Sequence, residues 1–257
     1  MEYFIICCVA LIGSGLTFFS GFGLGTLLVP VFAIFFPIDL AIALTAIVHF
    51  LNNLFKWTII GRHANWRIIV RFGLPAILSA FVGAYVLTLL TDVAPFYSYS
   101  FAGRMFYITP VKLTIAVLLF VFSLFDIVPR FAKLNFDQKY MPLGGILSGF
   151  FGGLSGNQGA LRTAFLIRAN LSKEAFIATG VVIAILIDIS RLAVYAADIF
   201  RVGEKIDFML LVSATLSAFA GAFLGNRMLR KITIKTLQLV IGILLMIFSI
   251  LLALGIV

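Results

Sequence analysis

Charge is scarce in this chain. Only 11% of its 257 residues are Asp, Glu, Lys or Arg, against about a quarter in soluble globular domains. With 63% hydrophobic residues and a mean hydropathy of +1.18, it cannot dress a water-soluble surface. Cysteine and histidine are scarcer still, at two residues each. Cys7 and Cys8 are adjacent inside the first apolar run, without ligand-like company, and read as packing or lipid-facing residues. No metal-ligand cluster, Walker loop or G-x-S-x-G is present, and "GFGLG" at 21–25 lacks the strand–helix context that dinucleotide binding requires. The expectation is a chain that is not an enzyme and needs no cofactor.

What the chain does have is long apolar runs. Tyr3–Phe19, Leu40–Ile60, Ile68–Leu90, Val111–Ile127, Ala175–Ala197, Phe208–Leu224 and Thr236–Val257 mostly approach the ~20 residues that cross a bilayer core. Glu2 stands where a secretory leader would carry basic residues, so the first run is read as part of the protein. The net charge of +9 falls in short loops between spans, which points to the positive-inside effect and away from nucleic acid. The fold class is an all-α polytopic membrane protein whose partner is the lipid bilayer.

The chain also repeats itself. "LSAFVGA" (78–84) returns as "LSAFAGA" (216–222), and Ser14, Gly15, Gly25, Leu27, Ala41, Thr45 and Val48 match Ser148, Gly149, Gly159, Leu161, Ala175, Thr179 and Val182 at one spacing. The reading is two repeats, 1–127 and 140–257, joined by a cytoplasmic linker at 128–139. Each opens with an interrupted segment, "GLTFFSGFGLGTLLVP" and "GILSGFFGGLSGNQGALRTAF". Glycines this dense are expected to unwind a helix, and paired interruptions mark the binding site of a transporter, with close glycine packing as the competing reading. Arg62, Arg67 and Arg71, then Arg130, Lys133 and Lys139, then Arg227, Arg230, Lys231 and Lys235 all belong on the cytoplasmic side, and the acid-rich stretch 198–207 with Arg201 and Lys205 belongs outside. These placements agree only if each interrupted segment goes in and returns. Three ordinary spans then follow it, and the repeats are inverted.

Polar residues at membrane depth need a partner or a task. Arg162 lies one turn into the half-helix beginning at Gly159, where free N–H groups and the helix dipole already favour an anion. Ser155, Asn157 and Gln158 add neutral groups, and Gly23, Gly25 and Thr26 occupy the first break. "TAIVHFLNNLFKW" supplies Thr45, His49, Asn52, Asn53 and Lys56, of which Asn52 and Asn53 are assigned to substrate. Asp188 and Arg191 share a helix face at i,i+3 and can neutralise each other, as a structural pair or, with His49, as coupling or gating groups.

"GFGLGTLLVPVF" followed by "DLAIALTAIVHFLNN" resembles the first half-motif of the sulfite exporter TauE/SafE family of membrane permeases, with Leu24 in place of one motif glycine. "GLSGNQGALRTAFLIRANLSKEAFIATG" resembles the second, in the branch that carries "QGALR". The resemblance implies a permease of the cytoplasmic membrane that exports small anions such as sulfite or sulfonates. The residues alone leave a secondary transporter, a passive anion channel and a membrane-embedded subunit or assembly factor of a larger complex open. They also leave open whether a proton or sodium ion is coupled and whether the chain forms a homo-oligomer.

Overall fold

The structure, a computed structural model, describes residues 1–20, 23–128, 131, 136–202, 207–228 and 234–257. Its first half contains α1 (Glu2–Ser20), α2 (Gly25–Ala33), α3 (Ile38–Ile60), α4 (Trp66–Thr91) and α5 (Pro110–Ile127). The second contains α6 (Met141–Ser155), α7 (Gly159–Leu166), α8 (Lys173–Val202), α9 (Phe208–Met228) and α10 (Ile234–Ala253). Between α4 and α5 stands an antiparallel hairpin, β1 (Tyr97–Phe101) paired with β2 (Arg104–Ile108), which apolar periodicity does not announce. Among the described residues α3, α4, α5, α8 and α9 are long and apolar enough to cross a membrane, and α1 and α10 hold shorter apolar stretches. Large apolar side chains such as Leu78, Val82 and Tyr85 on α4 and Leu244 and Ile247 on α10 face outward, as lipid contact requires.

Both interrupted segments fold back on themselves. Helix α6 ends at Gly156, whose φ of 78° is left-handed and costs glycine nothing. Helix α7 then returns along α6: the Ser148 hydroxyl donates to the Gln158 carbonyl at 3.2 Å, and the Phe165 ring covers Gly144. The Phe136 N–H donates to the Ala164 carbonyl at 3.2 Å, near the level where α6 began. In the first half Gly13 lies against Leu24 and Leu27. A continuous helix would hold positions 13 and 27 about 20 Å apart at 1.5 Å per residue, so α2 has turned back along α1.

The glycines of α6 do not unwind it, contrary to the expectation from their density. The helix is continuous from Met141 to Ser155, and the break is confined to residues 156–158. Gly145, Gly149 and Gly153 form a stripe laid against the carbonyls of Phe72, Ala76 and Ala80 on α4, where any Cβ would collide with backbone oxygen. The repeated motif does the same work from the other side. Gly83 meets the Phe150 carbonyl on α6, and Gly221 meets the Leu11 carbonyl on α1. Without a hydrophobic drive between helices in lipid, such close backbone approach supplies the packing.

The principal helix pairings join the two halves. Helix α1 packs on α9 and α6 on α4, so the first helix of each half meets the fourth helix of the other. Helix α3 packs on α8 and α5 on α10. Exchanging the halves leaves this pattern unchanged. Helix α8 runs on to Val202, so positions 198 and 201 belong to its last turns and not to a loop. Gly21, Arg130, Lys133, Glu204, Lys205, Arg230 and Lys231 lie outside the described residues, as does the side chain of Lys235.

Candidate functional site

Helices α3 and α8 lie together at the centre. Thr45, His49, Asn52, Asn53 and Lys56 recur every three or four residues on α3, which gathers them on one side. All of them are buried. On α8 the facing residues are Asp188 and Arg191, neither with any exposed surface.

These residues form a three-membered bridge. Arg191 reaches one Asp188 oxygen with Nε at 3.0 Å and Nη2 at 2.8 Å. His49 Nδ1 lies 2.7 Å from the other oxygen. A carboxylate only accepts, so Nδ1 carries the proton, and Nε2 is turned to the first break. There it lies 3.0 Å from the place a Cβ would occupy on Gly23. At the opposite end, Arg191 Nη1 lies 2.9 Å from the corresponding place on Gly156. Asn53 Nδ2 adds a contact 3.2 Å from the imidazole, and the Tyr195 hydroxyl donates to the Gly153 carbonyl. The breaks themselves meet, since a Cβ on Gly25 would lie 3.4 Å from the Gly156 oxygen. Asp188 thus holds His49 beside the first break and Arg191 beside the second.

Beside this bridge is a cavity between both hairpins, α3 and α8. Its polar lining comes from Thr17, His49, Asn53, Lys56, Arg162 and Thr163, with no carboxylate among the described residues. Its volume, about 30 Å³, suits a small ion and not a drug-sized molecule. Lys56 and Arg162 are 4% and 6% exposed, so two formal positive charges face one buried space. Lys56 Nζ also stands 5.6 Å from the Phe18 ring centroid, and glycine at 180 makes room for the Arg162 guanidinium, 3.4 Å from where a Cβ would be.

A second, smaller cavity is lined by Thr26, Asp126, Asn157, Gly159 and Ala160. The expected substrate residues are therefore divided. Arg162, Gly23 and Asn53 line the first cavity with His49, while Thr26, Asn157 and Gly159 line the second. Gly25 stands where the breaks meet. Asn52 accepts a hydrogen bond from Ser14 at 3.0 Å, Ser155 bonds back to Phe151, and Gln158 packs against Gly152. Lys56, Thr17 and Thr163 were not assigned to substrate from sequence. For Lys56 the signal was there, since an amine inside an apolar span is as costly as Arg162. Asp126 gave none, because an acid at the end of an apolar run looks like any helix terminus.

No curated protein and no solved structure matches the chain. The sulfite exporter TauE/SafE family matches it over residues 5–252. The chain therefore belongs to the sulfite exporter TauE/SafE family, whose members are membrane permeases, and its helical, multi-pass architecture agrees with that.

Proposed function

We propose that the chain is a secondary transporter of the cytoplasmic membrane that carries a small oxyanion, of the sulfite or sulfonate class, through the first cavity. One observation carries this reading: Lys56 and Arg162 face a buried, small space whose lining, among the described residues, has no acidic side chain. Two like charges held at membrane depth repel each other and lose hydration, and an anion between them offsets both costs. Thr17, Asn53 and Thr163 supply neutral hydrogen-bonding groups for its oxygens. The sulfur chemistry comes from the family, and the preference for an anion comes from the cavity.

The duplicated halves, in this reading, are inverted repeats, and their interlocked packing lets one rock against the other. The His49–Asp188–Arg191 bridge spans both breaks, so its making and breaking would gate access. The test is thermal unfolding of detergent-purified protein with sulfite, sulfate, a sulfonate and chloride. A ligand of the folded state raises the midpoint by mass action. Lys56→Gln and Arg162→Gln should each weaken oxyanion affinity about 30-fold, the equivalent of ~2 kcal/mol for a charge-assisted contact. Unaltered affinity in both variants would remove this cavity as the binding site.

A further inference from the structure

Asp126, Thr26 and Asn157 bring a carboxylate, a hydroxyl and an amide to the second cavity, which has a volume of about 10 Å³. That is room for a single occupant the size of water. The three residues are 8%, 6% and 5% exposed. Among the described residues, neither amide atom of Asn157 has a hydrogen-bond partner, and the cavity lining brings no charge besides Asp126. The side chains come from three separate parts of the fold: α2 of the first hairpin, α5, and the break of the second hairpin.

A buried carboxylate without a counter-charge is strongly disfavoured. The first turn of α7, at Gly159 and Ala160, also lines the cavity, and its dipole offers about half a positive charge. That offsets the carboxylate in part and leaves room for one more positive charge, held reversibly. A proton would neutralise Asp126 and give it one O–H to donate, to the Asn157 carbonyl oxygen or to the Thr26 hydroxyl but not to both. A small hard cation takes oxygen from carboxylate, amide and hydroxyl alike. We propose that Asp126, Asn157 and Thr26 form a sodium-ion site. Sodium bound there joins α2 to the break of the second hairpin, so its occupancy favours the arrangement in which the two hairpins meet. The site stands on its own geometry; its role as the coupling ion rests on the transport reading above.

Thermal unfolding of the full chain at constant ionic strength, with sodium chloride exchanged for choline or potassium chloride, tests the site. The midpoint should climb saturably with sodium and stay flat with choline and potassium. Asp126→Asn should abolish the sodium response, and because it removes an uncompensated charge it should still fold. Thr26→Ala, which keeps the carboxylate, should shift the half-saturating sodium concentration upward about tenfold, the size expected for one lost ligand. A parent midpoint equal in sodium and choline, or an Asp126→Asn variant that responds to sodium like the parent, overturns the proposal. So does a response to pH that sodium does not change, which would make Asp126 a proton carrier. Lys56→Gln separates the two readings: it should lose the oxyanion response and keep the sodium response. A sodium response without any oxyanion response in the parent would sink the transport reading and leave the site standing.

Discussion

At the scale of single residues, Asp188 is held from two sides. Arg191 and His49 each take one of its oxygens in a space without water access. Removing one partner of a buried pair strands the other, at a cost of about 3–5 kcal/mol. Asp188→Asn should therefore lower the folded yield and unfolding midpoint sharply, and adding Arg191→Gln should restore part of the loss. Strictly additive losses would mean the two groups do not interact. Asp207 gives a milder pH effect at the membrane surface. Its carboxylate accepts hydrogen bonds from the Tyr3 hydroxyl and from the N–H groups of Leu210 and Met209, which hold its pKa below the usual carboxylate value. A depressed pKa adds stability that is present above the unfolded value, about 3.9, and is lost as the pH falls through the folded one. The midpoint gap between the parent and Asp207→Ala should narrow on acidification below about pH 4. A gap that widens there would show that these bonds do not favour the charged form.

At the scale of helices, glycine has two separate tasks. Gly156 turns the chain back, while Gly145, Gly149 and Gly153 let α6 lie on the backbone of α4. Gly149→Leu should part the two helices and cost about 3 kcal/mol or more, as overpacking in a close contact does. Ile146→Leu, on the outward side of the same helix, should cost little. Monodisperse yield in detergent and the unfolding midpoint distinguish them, and equal behaviour of the two variants would refute the contact. The hairpin β1–β2 belongs to this scale too. Its exposed Tyr97, Phe101 and Tyr107 are residue types that settle at a membrane–water boundary, and the Tyr99 hydroxyl fastens it to the Leu254 carbonyl beyond α10 at 2.7 Å.

At the scale of the whole molecule, the returning hairpins fix parity. With α6–α7 making no net crossing, residues 139 and 168 share a side, as the hydrogen bond from Gln138 Nε2 to the Arg168 carbonyl at 3.0 Å also requires. On the inverted-repeat reading, helix α4 separates residue 63 from residue 100, and α5 crosses back. Single cysteines at His63, Lys139 and Arg168, all exposed, should thus react with an impermeant thiol reagent from the cytoplasmic face only. Ser100→Cys should react from outside only. Labelling of 139 and 168 from opposite faces would show that the second interrupted segment crosses the membrane and would end the inverted-repeat reading. The background needs Cys7 and Cys8 replaced, which their place in an apolar run allows.

Sequence by itself determined the class of this protein, its spans and its breaks, because burial in lipid imposes one strong rule on every span: the backbone must satisfy itself and the side chains must be apolar. Any departure from that rule, such as Arg162, Asp188 or "SGNQG", stands out without a structure. The Asp188–Arg191 pair was legible because its partners lie one helical turn apart. The joining of His49 to Asp188, the meeting of Lys56 with Arg162, and the shared cavity of Asp126 with Asn157 were not, since each links residues on different helices. Spacing along a chain fixes what shares a helix face, whereas contact between helices depends on how the halves interlock. The glycines show the limit most clearly: the same residue type broke the helix at Gly156 and packed it at Gly149, and only the neighbouring α4 backbone decided which.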